Sequence, residues 1–186
     1  MKQSDIMKLA VILAILIVLV GGCSTKTTRT ISGTQELILD EQDLQQLGMT
    51  GHGCQTDDEY TNIVDSSLGQ YSFCNYTINS LEDTEVIVQL QKFANLEALD
   101  GAYQYDSSHL YSVEGLISEN DYGDKSRFRV NNEHDYGGQY NEPDVYFYHL
   151  WICKDKFLIH ITSSGRSKDA KDYIARIGQQ ILSKFE

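Results

Sequence analysis

The chain is poor in positive charge. Fifteen lysines and arginines stand against 27 aspartates and glutamates in 186 residues, for a formal net charge of -12 at pH 7. Nucleic-acid affinity comes mostly from Lys and Arg displacing counterions from phosphates, so no DNA or RNA partner is expected. Catalytic signatures are also missing. No G-x-S-x-G, H-E-x-x-H, Walker loop or G-x-G-x-x-G occurs, and no spacing of Ser, His and Asp sets a nucleophile beside a base. A non-enzymatic protein without a cofactor is expected. The four cysteines contain no C-x-x-C, which argues against a zinc site. Long apolar runs are absent near the N-terminus as well. Residues 9–20 are twelve apolar residues, about 18 Å of helix against a hydrocarbon core of ~30 Å, too short to span it.

What is present points to export. Residues 1–8 carry Lys2 and Lys8 against Asp5, the apolar run follows, and Gly21, Gly22 and Cys23 close it. This is the order of a secretory signal. Val20-Gly21-Gly22-Cys23 resembles the lipobox of prokaryotic lipoproteins, in which an aliphatic residue and two small ones precede a lipidated cysteine. That resemblance implies a signal peptide over residues 1–22, with Cys23 as the lipid-bearing first residue of the mature chain. The membrane partner is then lipid, held through Cys23 on the extracytoplasmic side of the cell membrane. Two or more acyl chains anchor stably, at about 0.8 kcal/mol per buried methylene. Residues 24–32, "STKTTRTIS", are polar and read as a tether. The expected organisation is a signal over 1–22, anchor and tether over 23–34, and one domain over 35–186. At 41% hydrophobic and 23% charged residues, that domain is ordinary globular material.

Within the domain, residues 36–39 read as a short strand, and a brief helix starts near Asp40 with Leu44 and Leu47 on one side. Residues 70–79 and 83–93 alternate and read as strands, the second with Val86, Val88 and Leu90 on one face. A helix over 94–106 uses Leu96, Leu99 and Tyr103, and 126–131 is a further strand. "DVYFYHLWIC" and "KFLIHIT" flank Lys154-Asp155 as a hairpin of period two. A two-residue turn there sets Cys153 opposite Lys156 and His149 directly opposite His160. Tyr148, Leu150, Ile152, Phe157, Ile159 and Ile161 then share one face. Phe147, Trp151 and Leu158 occupy the other, so this hairpin belongs between two layers. Residues 167–186 form an amphipathic helix with Ser167 as N-cap and Lys184 in the last turn. Its buried stripe is Ala170, Tyr173, Ile174, Ile177, Ile181, Leu182 and Phe185.

The order of signal, "LILDEQDL", strands and helix, "NDYGDKSRFRV", "WICKDKFLIHI" and a C-terminal helix resembles small prokaryotic lipoproteins with a PsbP-like α/β/α sandwich. That group includes the extracellular domain of a mycobacterial receptor kinase. The resemblance covers about residues 35–186. It implies an α+β fold, a central antiparallel sheet packed by helices, and an extracytoplasmic address, with no catalytic residues.

Three cysteines remain after lipidation. An extracytoplasmic compartment permits one bridge, and Cys54–Cys74 is the expected pair because it would pin the intervening loop to a strand, contributing about 3 kcal/mol. Cys153 is then a free, part-buried thiol. His149 and His160 could hold Zn or Cu if further ligands joined them, but no carboxylate lies on their strands, and packed histidines beside Trp151 are the preferred reading. The segment 131–144, "NNEHDYGGQYNEPD", lacks the alternating spacing of an EF-hand. It reads as a solvated surface loop, in which Tyr136, Tyr140 and a Gly pair also suit adaptable recognition. The expected function is non-catalytic binding of a small ligand, a glycan or a partner protein. The alternatives are an accessory subunit of a membrane-associated assembly, and a metal-dependent activity at His149 and His160.

Overall fold

The computed structural model describes residues 29–57, 68–109, 115–131 and 144–186. The expected signal over residues 1–22, Cys23, residues 24–28 of the expected tether, and Tyr136 and Tyr140 lie outside the described residues. Seven strands form one antiparallel sheet: β1 (Met49–Asp57), β2 (Leu68–Ile78), β3 (Glu85–Phe93), β4 (Leu116–Glu119), β5 (Lys125–Asn131), β6 (Tyr146–Lys154) and β7 (Phe157–Gly165). Their spatial order is β1-β2-β3-β7-β6-β5-β4, so the β6–β7 hairpin lies at the centre. Helices α1 (Glu41–Leu47) and α3 (Ala170–Ser183) cover one face, and α2 (Leu96–His109) covers part of the other. The fold is α+β, as the sequence implies.

Period two decides the main core. Val86, Val88, Leu90, Leu150, Ile152, Ile159 and Ile161 point to the α3 side and meet Ile174, Ile177 and Ile181. Each such side chain stabilises by roughly 1.5–3 kcal/mol when fully buried. Gly178 sets how closely α3 can lie on the sheet. A Cβ there would stand 2.9 Å from Leu150 Cδ2 and 3.0 Å from Ile152 Cδ1. Tyr173 and Leu182, expected in the stripe, are only half-buried. A second, smaller core joins Leu68, Phe93, Leu99, Tyr103, Trp151, Cys153 and Leu158 beneath α2.

Helix α1 starts where its sequence says it should. Asp40 and Asp43 cap it reciprocally, Asp43 N–H donating to Asp40 Oδ1 at 2.9 Å and Asp40 N–H to Asp43 Oδ2 at 3.0 Å. Gly48 ends it in the left-handed region at φ 68°. Asp43 also receives Gln180 Nε2 at 2.6 Å and pairs with Lys184 Nζ at 2.6 Å, tying α1 to the end of α3. Burial alone would raise the Asp43 pKa, but these bonds from Lys184, Asp40 and Gln180 hold it below the usual range.

Several expectations need correction. Residues 36–39 are not a strand. Thr34–Leu37 is a 3-10 helix, because Glu36 Oε1 folds back to accept from Ser32 N–H at 2.8 Å while Oε2 takes Arg29 Nη2 at 2.8 Å. Ser167 does not cap α3; its hydroxyl accepts from Asp169 N–H, and α3 begins a turn later with no side-chain cap. Lys184 sits just past the last turn as the C-cap. Leu96 opens α2 but is 62% exposed, while Leu99 and Tyr103 are buried. The helix is pinned instead by Asn95 Oδ1, which accepts from Ala98 N–H at 2.9 Å. The central hairpin turns at Asp155-Lys156, not at Lys154-Asp155: Lys154 pairs with Phe157, and Asp155 takes φ 53° with its N–H on Asp124 Oδ2. Moving the loop by one residue moves every partner by two. Faces survive such a shift and pairings do not.

Candidate functional site

On the α2 side, the sheet carries the second core at one end and, beside it, two cross-strand rows that are mostly polar or aromatic. One cross-strand row runs Phe73, Gln89, His160, Trp151, Arg127, Glu119. The next runs Asn75, Ile87, Thr162, His149, Arg129, Leu116. His149 therefore lies opposite Thr162 and His160 opposite Trp151. The two histidines are diagonal neighbours, not a directly opposed pair, yet they meet: His149 Nδ1 is 3.2 Å from His160 Nε2.

The proton positions follow from the partners. Gln89 Oε1, 3.0 Å from His160 Nδ1, can only accept, so that nitrogen carries a proton. In a neutral ring Nε2 is then the acceptor, with a single lone pair for which the His149 Nδ1–H at 3.2 Å and the Thr162 hydroxyl at 3.1 Å compete. The Trp151 indole stacks on both imidazoles, with centroids 4.6 Å from His160 and 5.3 Å from His149. Burial pushes the His149 pKa down to about 4, with the Arg129 guanidinium adding to the effect. Burial and then His149 hold His160 well below its ordinary value. Both rings are neutral at pH 7.

Helix α2 closes this cluster from above. Arg129 donates Nη1 to the Ser107 carbonyl at 3.2 Å, and Arg127 donates Nη1 to the Ser107 and Ser108 hydroxyls and Nε to Glu119. The Arg127 guanidinium also lies 5.8 Å from the Tyr103 ring centroid. Chemically the arrangement is a largely buried hydrogen-bond chain, in which the Trp151 indole stacks on both imidazoles while its N–H has no hydrogen-bond partner among the described residues. Its imidazole lone pair is spent on neighbours and not on an open cavity. The pair supplies two ring nitrogens, and among the described residues no group of three or more His, Cys, Asp or Glu could hold a metal ion. Cys153 lies opposite Leu158, is buried, and has its thiol pushed up to about 12 by burial, so it is not an activated nucleophile. Gln89, Thr162 and Arg129 were not foreseen as partners. Each comes from a strand whose pairing is non-local or shifted by the turn.

The disulfide joins Cys54 to Cys74. It does not pin a loop to a strand, because Cys54 itself lies in a strand, directly across the β1–β2 ladder from Cys74. Cys74 is fully buried, whereas β1 beyond Met49 is exposed along its whole length. Where β2 meets β3, an open cleft of about 570 Å³ is lined by Thr77, Asn79, Glu82, Asp83, Glu85 and Ser164. A neighbouring hollow of about 380 Å³ shares Thr77 and Glu85 and adds His52, whose Nε2 is 3.0 Å from Thr77 Oγ1. No sequence motif marks these residues. Tyr136 and Tyr140, the expected recognition residues, lie outside the described residues.

No protein-family model and no curated protein matches the sequence. Among solved structures, the extracellular domain of PknH from Mycobacterium tuberculosis is similar, with a TM-score of 0.55 and 6% identity, covering 84% of this chain and 100% of that one. No helix among the described residues is long and apolar enough to cross a membrane. At so low an identity the likeness is one of fold, and the fold it shares is the α+β architecture with a central antiparallel sheet.

Proposed function

We propose that this protein is a non-catalytic, extracytoplasmic binding domain held at the cell membrane by acyl chains on Cys23, after removal of residues 1–22. The observation that carries the reading is the Cys54–Cys74 bridge on an exposed edge strand. Structural disulfides persist in oxidising compartments and are rare in the cytosol. The lipobox-like Val20-Gly21-Gly22-Cys23 supplies the means of anchoring. A fold like that of an extracellular domain is consistent with the same address. The His149–His160 pair, bonded to each other and stacked on Trp151, favours a structural role for the most chemically suggestive residues. The cleft beside Glu82 and Glu85 is then the better place for a small ligand or a partner segment.

The test is the intact mass of membrane-extracted protein, wild type and Cys23→Ser, alkylated in denaturant without reduction so that the buried thiols react. The expected result is loss of residues 1–22, an acyl-sized addition that vanishes in the variant, and one alkylated thiol, Cys153. An unmodified full-length chain in both would sink the anchor, and three alkylated thiols in the variant would sink the exported, disulfide-bonded domain.

A further inference from the structure

The two ends of the sheet differ in where the chain enters. β3 ends at Phe93, β6 ends at Lys154 and β7 begins at Phe157 at one end, while Glu85, Tyr146 and Gly165 mark the other. The described chain starts at the first end. Arg29 N–H donates to the Phe185 carbonyl at 3.0 Å, just past α3, and the Phe185 ring packs on Phe157 with centroids 5.8 Å apart. The Lys92 ammonium holds the Ser32 carbonyl beside them. Five residues separate the thiol-bearing Cys23 from Arg29, and the six Cα–Cα steps, fully extended, reach only about 20 Å. The nine residues of β6 carry the opposite end roughly 26 Å further away. A chain of that reach keeps the Arg29 end within about 20 Å of the bilayer whatever the tilt, and an upright domain holds the far end beyond it.

We infer that the domain stands on its Arg29–Phe93–Lys154 end against phospholipid headgroups and turns the cleft of Glu82, Asp83 and Glu85 away from the membrane. This rests on the lipidation of Cys23 proposed above. Charge is mixed at both ends. The membrane-side end pairs Arg29 with Glu36, Lys154 with Asp124 and Lys184 with Asp43 and adds Lys92 and Lys156. Yet it exposes Asp121 and Asp155, and the far end exposes Arg166, Lys168 and Lys171. The far turn places three carboxylates within four residues, 82–85, where an anionic leaflet repels them. A partner arriving from outside meets the acidic cleft first.

The experiment reconstitutes the full-length lipidated protein into phosphatidylcholine vesicles, with and without phosphatidylglycerol, carrying an energy-transfer acceptor on the headgroup. A fluorophore is attached to a cysteine introduced at Asp121, an exposed residue of the β4–β5 turn at the anchor end, or at Glu82, exposed at the far end. Transfer from Asp121→Cys should be several-fold stronger than from Glu82→Cys in both lipid mixtures. Equal or reversed transfer, with the acyl mass on Cys23 intact, would overturn the orientation and leave the anchor standing. Protein of unacylated mass would overturn both together.

Discussion

The two faces of the sheet are made by the same strands from opposite materials. On β6 and β7, Leu150, Ile152, Ile159 and Ile161 face α3, and the intervening His149, Trp151, His160 and Thr162 face α2. The α3 face is stabilised by area, a non-directional contribution that any well-shaped apolar side chain provides. The α2 face adds to its small apolar core a chain of paired donors and acceptors around His149 and His160, a directional contribution that a single proton or a single lost partner can upset. One face should therefore respond to volume and the other to pH.

The largest effect should come from the apolar face. Ile159→Ala removes a side chain with no exposed area, and urea unfolding at pH 7 should show a loss of about 4 kcal/mol. A loss well under half of that would mean the core collapses around the gap, and the contrast between the faces would weaken. Next is acid. His149, with a folded pKa of about 4 against an ordinary 6.5, is depressed, so the unfolded chain binds the extra proton first. Its contribution is complete above pH 6.5 and falls by about 3 kcal/mol as pH drops to 4. The difference between wild type and His149→Gln, followed by unfolding across that window, should carry this slope. Parallel curves would show that His149 is charged already and that the directional face is misread.

Smaller effects sharpen the picture. Asp40→Ala removes one half of the α1 capping box and should cost about 1 kcal/mol, read as a shift of the urea midpoint. Leu96→Gln, on the solvent side of α2, should change stability by no more than about 0.5 kcal/mol. A larger loss there would place Leu96 against something other than solvent.

How far the sequence could be read depends on which of these forces wrote each segment. The stripe of α3 and the faces of β6 and β7 were legible because burial imposes a period, and period two tolerates a pairing error of two residues. The pairing itself was not legible. It is set by Asp155 adopting φ 53° and hydrogen bonding Asp124, thirty-one positions away. β1 left no signal, since only Met49 is buried and Gly51 and Gly53 interrupt its ladder with a bulge. Of the buried polar cluster, His149 and His160 stood out by residue type. Gln89, Thr162 and Arg129 joined them only through strand neighbours that chain order does not reveal.

β1 is also an outermost strand of the sheet, exposed beyond Met49 and bridged to the rest by Cys54–Cys74. Beneath it β2 presents Ser72, Cys74, Tyr76 and Ile78, all buried. Were β1 to peel away, that ladder would become a bare edge with apolar side chains, the kind of surface that recruits strands from neighbouring molecules. The bridge thus acts as a lock on the sheet's margin: while it is intact the β2 edge stays covered, and on its reduction the first property at risk is solubility, ahead of fold.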